Sequence, residues 1–272
     1  MRKLFLLITI LSFSFANSQV AVTRVLDVKQ GQMEKMMEGV AKKTKMYNSE
    51  ADDAQWYTFQ IMSGANAQNL WRVQIAENLA ALDDVDTEGN AYWEKTVGDL
   101  HESGAVRRWG KANPASYTPE LSELKPLTRA LFFNFDPTKS DEFWNFRVKL
   151  ANAHKEAGTS IYMETWWCSS GCDGSGAVVF YYFKDYAEQM SANQEIQKAV
   201  EKYNELYGND AYEYDLEKME LENNLFSTEI SYPQKFSVIF DESINLIFVN
   251  DNPIFLDGKK GISVSGGGDT KI

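Results

Sequence analysis

One order of elements occurs twice in this 272-residue chain, and an internal repeat limits the possible architectures more than any single segment can. Thr23-Arg24-Val25-Leu26 in the first half is echoed by Thr128-Arg129-Ala130-Leu131 in the second. Around the first echo the sequence predicts a strand over Val20–Val28, a helix over Gln32–Tyr47, strands over Gln55–Met62 and Asn69–Ile75, a helical region over Asn78–Leu100 and a short strand near Ala105–Trp109. Around the second it predicts a strand to Phe135, a helix over Asp141–Ala157, strands over Ser160–Trp167 and Ala177–Phe183, a helix over Tyr186–Tyr207 and a last strand near Asn224–Tyr232. Pro114, Pro119 and Pro126 punctuate the connection between the halves.

The periodicities support these assignments. Met33, Met36, Met37, Val40, Thr44 and Tyr47 recur at spacings of three and four, one stripe of a helix, and Phe143, Phe146, Leu150, His154 and Ala157 repeat it. In the strands Tyr57, Phe59 and Ile61 alternate with Trp56, Thr58 and Gln60, and Ile161 and Met163 alternate with Tyr162, Glu164 and Trp166. Ser63-Gly64 and the run from Gly171 to Gly176 read as hairpin loops.

A β-α-β-β-α-β unit is the split, ferredoxin-like arrangement, a four-stranded antiparallel sheet with both helices on one face. Its other face is open, and two tandem copies can cover each other. In this element order and in the echo between its halves, over roughly Val20–Tyr232, the chain resembles the dimeric α/β-barrel superfamily, which includes antibiotic-biosynthesis-monooxygenase-like, NIPSNAP-like and haem-handling proteins. The resemblance implies an α+β fold in which two tandem ferredoxin-like repeats pack their sheets as a single-chain barrel. It also implies a small-molecule ligand held between the sheets.

Outside the repeat, Met1–Ser18 has a basic start at Arg2 and Lys3, an apolar run of about a dozen residues from Leu4 to Phe15, and small residues at Ala16 and Ser18. That is the order of a cleavable secretory signal, and the run is shorter than the roughly 20 residues of a membrane span. The expected organisation is a signal peptide over 1–18, a first repeat over 19–113, a linker over 114–126, a second repeat over 127–232 and a β-rich C-terminal tail over 233–272. The tail reads as an added hairpin covering a sheet edge, a sorting or docking segment, or an appendage. The mature protein is expected in the periplasm or outside the cell. Cys168 and Cys172, four positions apart in a Gly/Ser loop, are then expected to form a local disulfide in preference to a metal or redox site.

The formal charge of −12 becomes −14 once Arg2 and Lys3 are removed with the signal. So acidic a surface disfavours nucleic acid and anionic membrane surfaces as partners. With 44% hydrophobic and 13% aromatic residues there is ample material for buried cores. Nothing in the sequence matches a nucleophile elbow, a phosphate-cradling glycine loop or a paired-histidine zinc motif.

If Tyr57, Phe59, Ile61, Val73 and Ile75 pack under helices, then Trp56, Thr58, Gln60, Arg72 and Gln74 face the barrel interior. The same logic turns Tyr162, Glu164 and Trp166 inward, with Tyr181 as an addition and with Gln60 and Glu164 in matching places. Trp56, Thr58, Gln60, Arg72, Tyr162, Glu164 and Trp166 are therefore the candidate ligand-binding residues, an aromatic lining with one acid, one base and an amide. A paired Glu and Arg that merely fix register are the structural alternative. The sequence requires no cofactor. The resemblance leaves haem binding or cofactor-independent oxidation as an alternative, with His154 as the haem-ligand candidate although its place on a helix stripe favours a core role. A non-catalytic surface protein is the third reading.

Overall fold

The computed structural model describes residues 19–49, 54–63, 66–120, 125–172, 174–223 and 240–248. The expected signal peptide and most of the expected tail lie outside them. The protein is α+β, and its chain divides into two compact units, the first holding the strands and helices up to Arg108, the second running from Trp109 to Ile247.

In the first unit the elements are β1 (Val20–Val28), α1 (Met33–Tyr47), β2 (Gln55–Ile61), β3 (Leu70–Ala76), α2 (Thr87–Val97) and β4 (His101–Ser103). β3 pairs antiparallel with both β1 and β2, and β4 with β1, giving the order β2-β3-β1-β4. Met36 and Val40 of α1 and Trp93 and Val97 of α2 close over Leu26 and Leu70 of the sheet. The helices approach closely because α1 carries Gly39, where a Cβ would stand 2.3 Å from the Val97 side chain. The broad helical region expected over Asn78–Leu100 is one α-helix flanked by two short 3-10 turns. Asp86 sets its start by accepting the Gly89 N–H at 2.7 Å. Lys43 of α1, buried, reaches Asp86 at 3.1 Å and joins the two helices.

The second unit contains part of β5 (Arg107–Lys111), then β6 (Leu127–Phe135), α3 (Ser140–Ala157), β7 (Tyr162–Ser170), β8 (Ser175–Phe183), α4 (Tyr186–Tyr207), α5 (Ala211–Asn223) and β9 (Phe240–Phe248). β8 pairs antiparallel with β6 and β7, and β9 pairs antiparallel with β6, so the order β7-β8-β6-β9 parallels that of the first unit. The core joins Leu131, Phe133 and Phe135 of β6, Met163 of β7 and Val179 of β8 to Phe143, Phe146 and Leu150 of α3, Tyr203 of α4 and Met219 of α5. Cys168 and Cys172 form a disulfide across the β7–β8 turn.

Two expectations change here. The first is α5, a helix the repeat does not predict. It is held because Asp215 accepts from Tyr203 at 2.6 Å and pairs with Lys149 of α3 at 2.7 Å. The expected last strand near Asn224–Tyr232 lies outside the described residues, while Phe240–Phe248, from the segment expected to be a tail, takes the fourth-strand position beside β6. Backbone N–H and C=O groups of a strand need partners, and for one side of β6 this segment provides them. Truncation after Asn223 is expected to lower the thermal unfolding midpoint by about 5 °C or more, because β6 loses its ladder with β9. An unchanged midpoint in scanning calorimetry would show that the segment contributes nothing to the fold.

Candidate functional site

Strand register decides which residues can share a site. In the first unit Arg24 stands opposite Arg72, and Arg72 opposite Thr58, so all three share a face with Leu26 and Leu70. Leu26 and Leu70 pack beneath α1 and α2. The helix side of this sheet therefore carries Trp56, Thr58, Gln60, Arg72 and Gln74, the reverse of the expected facing. Direct contacts agree: Lys43 of α1 lies 6.0 Å from the Trp56 ring, and the Arg72 guanidinium lies 4.6 Å from the ring of Trp93 on α2. The reversal arises because Tyr57, Phe59, Ile61, Trp71, Val73 and Ile75 make an apolar face as complete as any core face. Apolarity alone then fails to show which face the helices cover.

In the second unit the expected facing holds. Met163, Val179, Leu131 and Phe133 lie under the helices, so Tyr162, Glu164 and Trp166 turn to the other face. Tyr181, however, packs on the helix side, and its neighbour Tyr182 joins the group instead. The Tyr182 hydroxyl donates to Glu164 Oε2 at 2.9 Å, and Lys111 Nζ donates to Glu164 Oε1 at 2.7 Å. The ammonium of Lys111 also sits 5.8 Å from the Trp166 ring, and the Tyr162 and Tyr182 rings meet edge-on at 5.3 Å. Glu164 and Trp166 are both buried, and the Trp166 indole Nε1 has no hydrogen-bond partner. The Thr128 hydroxyl, buried on the same face opposite Tyr182, likewise has none.

The candidate residues thus form two separate groups. Gln60 and Glu164 do not correspond: the Thr-Arg echo aligns Leu26 with Leu131, which places Gln60 in register with Thr165 and puts Glu164 one residue out, on the opposite face. Tyr182 could have been found from the sequence as the same-face neighbour of Tyr162. Lys111, in a short strand with no periodicity, gave no signal.

His154 lies in the core of the second unit, its ring stacked at 5.9 Å on Tyr117 and its Nδ1 sharing a hydrogen bond with Thr159 Oγ1 at 2.9 Å. Gly158, with φ +59°, ends α3 in a left-handed turn that brings Thr159 back to the histidine. Burial, reinforced by the Arg147 charge, lowers the His154 pKa from 6.5 to about 4. So enclosed a ring presents no open coordination position, and His154 does not fit as an axial haem ligand. Among the described residues, no three His, Cys, Asp or Glu side chains are placed to hold a metal ion, and no helix is long and apolar enough to cross a membrane. The cavity lined by Ser160, Tyr182, Glu188 and Glu195 holds about 20 Å³, room for a single water.

No protein-family model and no curated relative matches the sequence. Solved structures do. A provisionally named monooxygenase from Fusobacterium nucleatum subsp. nucleatum ATCC 25586 superposes with a TM-score of 0.56 at 9% identity, over 92% of this chain and 98% of its own. A second provisionally named monooxygenase, from Lactobacillus acidophilus NCFM, gives 0.50 at 9% identity over 69% of this chain and 88% of its own. A mutant chlorite dismutase from Candidatus Nitrospira defluvii overlaps more loosely, with a TM-score of 0.46 at 9% identity over 71% and 85%. The likeness is one of fold, a ferredoxin-like α/β arrangement.

The His154 environment makes stability depend on pH. Because the folded pKa is below 6.5, the unfolded chain binds a proton between about pH 6.5 and 4 that the folded chain does not. Stability should therefore fall as pH falls through that window, by up to about 1.4 kcal/mol per unit from this group. Urea unfolding of His154→Gln across the same range should lose this part of the slope. An identical slope in the variant would assign the proton elsewhere.

Proposed function

We propose that the protein is an exported small-molecule-binding protein of the monooxygenase-like α/β-barrel type. Its ligand contacts the face of the second sheet that turns away from the helices. The observation that carries this reading is the buried indole N–H of Trp166, unpartnered beside the Glu164–Lys111 pair. Buried donors without acceptors are uncommon in folded proteins, and a ligand oxygen would complete this one. The Lys111 charge is already balanced by Glu164, so the favoured ligand is neutral. Phe180 and Tyr182, half-buried on this face, offer ring surface, which suits a flat aromatic molecule. A phenol or quinone, aromatic and bearing one oxygen acceptor, combines these properties.

1-Naphthol serves as the probe in isothermal titration calorimetry. Saturable binding to the mature protein is expected, weakened up to about tenfold in Trp166→Phe, which keeps an aromatic ring and removes the donor. Absence of saturable heat, or equal affinity in the variant, would overturn the assignment.

Export belongs to the same proposal. It is supported by the basic, apolar and small-residue order of Met1–Ser18 and by the Cys168–Cys172 disulfide, a bond favoured in oxidising compartments. N-terminal sequencing of the exported protein should begin at Gln19; a product that retains Met1 would exclude cleavage.

A further inference from the structure

In the first unit two arginines, one fully and one half buried, have no ion-pair partner among the described residues. Arg72 is 1% exposed. Its guanidinium lies 4.9 Å from the Trp56 ring and 4.6 Å from the Trp93 ring and donates to Thr58 Oγ1 at 2.5 Å. Directly across the ladder is a second guanidinium, Arg24, half-buried and 5.9 Å from the same Trp93 ring. His101, at the start of β4, approaches Trp93 from the edge of the sheet at 5.8 Å.

The partner list of this group is short. Arg24 Nε and both ring nitrogens of His101 are buried atoms with no hydrogen-bond partner. Among the described residues no carboxylate forms an ion pair with either arginine. Glu94 of α2 is felt by Arg24 and His101 but pairs with neither. The cations of the second unit described above contrast with this, Lys111 being met by Glu164 and Lys149 by Asp215.

Desolvating an ion is costly, and the cost is offset only by an opposite charge or a full set of hydrogen bonds. Two indole faces and one hydroxyl stabilise Arg72, while Arg24 opposes it with a like charge. Burial, with Arg24 adding to it, lowers the Arg72 pKa to about 9, still protonated at neutral pH. An oxyanion supplies what is missing: a negative charge between two guanidinium groups and acceptors for Arg24 Nε and for one N–H of His101.

We propose that Arg24, Arg72 and His101, gathered around Trp93, form a receptor for a small oxyanion, a carboxylate or a phosphate, that enters on the half-exposed side defined by Arg24 and His101. The site lies on the helix side of the first sheet. The depth of Arg72 selects for a compact anionic group. The indole on which all three basic side chains converge, Trp93, fixes their spacing.

The test uses the mature protein at constant ionic strength, with sodium phosphate, acetate or benzoate replacing sodium chloride. At least one oxyanion should raise the thermal unfolding midpoint saturably, by about 3 to 6 °C at tenfold above half-saturation. A response confined to phosphate identifies a phosphate site, and one confined to acetate or benzoate identifies a carboxylate site. The half-exposed variant Arg24→Gln should abolish the response while remaining folded. Arg72→Met, if it folds, should show no response and a midpoint no lower than the unliganded parent. No response beyond chloride, or an equal response in Arg24→Gln, would overturn the proposal and leave the arginine pair as structural charge.

Discussion

The helices of each unit cover only one face of its sheet, and strand side chains alternate between faces, so a single choice of parity assigns every strand residue to its environment. In the first unit the even-numbered positions of β1, β2 and β3 go under α1 and α2. In the second the odd-numbered positions of β6, β7 and β8 go under α3 and α4. These choices decide that Arg72 is enclosed beneath a helix and that Glu164 faces away from one. They also assign the two groups of polar residues to different kinds of face, one beneath the helices of its unit and one turned away from them.

The two groups handle buried charge differently. Glu164 receives Lys111 and the Tyr182 hydroxyl, a complete pair that keeps its neighbourhood electrically neutral. Arg72 has rings and a hydroxyl but no anion, and a second arginine is its cross-strand neighbour. Arg147, the buried guanidinium of the second unit, donates to the Met163 sulfur at 2.8 Å, a weak acceptor. Buried arginine without a carboxylate therefore occurs in both units. Among the described residues of the first, it comes with a second arginine and a histidine whose ring nitrogens have no hydrogen-bond partner.

Much of the fold was legible because it is local. The stripes of α1 and α3, the alternation in β2 and β7 and the echo of Thr23–Leu26 in Thr128–Leu131 each depend on a few neighbouring residues, and the elements they predict are present. The element that escaped was nonlocal: β9 joins β6 across more than a hundred positions, and nothing within Phe240–Phe248 announces that partner. Likewise α5 depends on Asp215 finding Lys149 and Tyr203 on other helices. Among the candidate residues, Tyr162, Glu164 and Trp166 lie on the side of their strand turned away from the helices, as expected, because Ile161 and Met163 are plainly more apolar than their neighbours. Trp56, Thr58, Gln60 and Arg72 were turned the wrong way because both faces of β2 and β3 carry large side chains.

The sequence by itself determined the α+β class, most of the individual helices and strands, and the residues that share a face within each strand, since those follow from periods of two and 3.6 along the chain. Only the tertiary structure decided which of the two faces lies beneath the helices, which strand fills the fourth place beside β6, and whether a buried charge meets an opposite one. Each of these depends on contacts between segments far apart in sequence, and periodicity carries no information about partners.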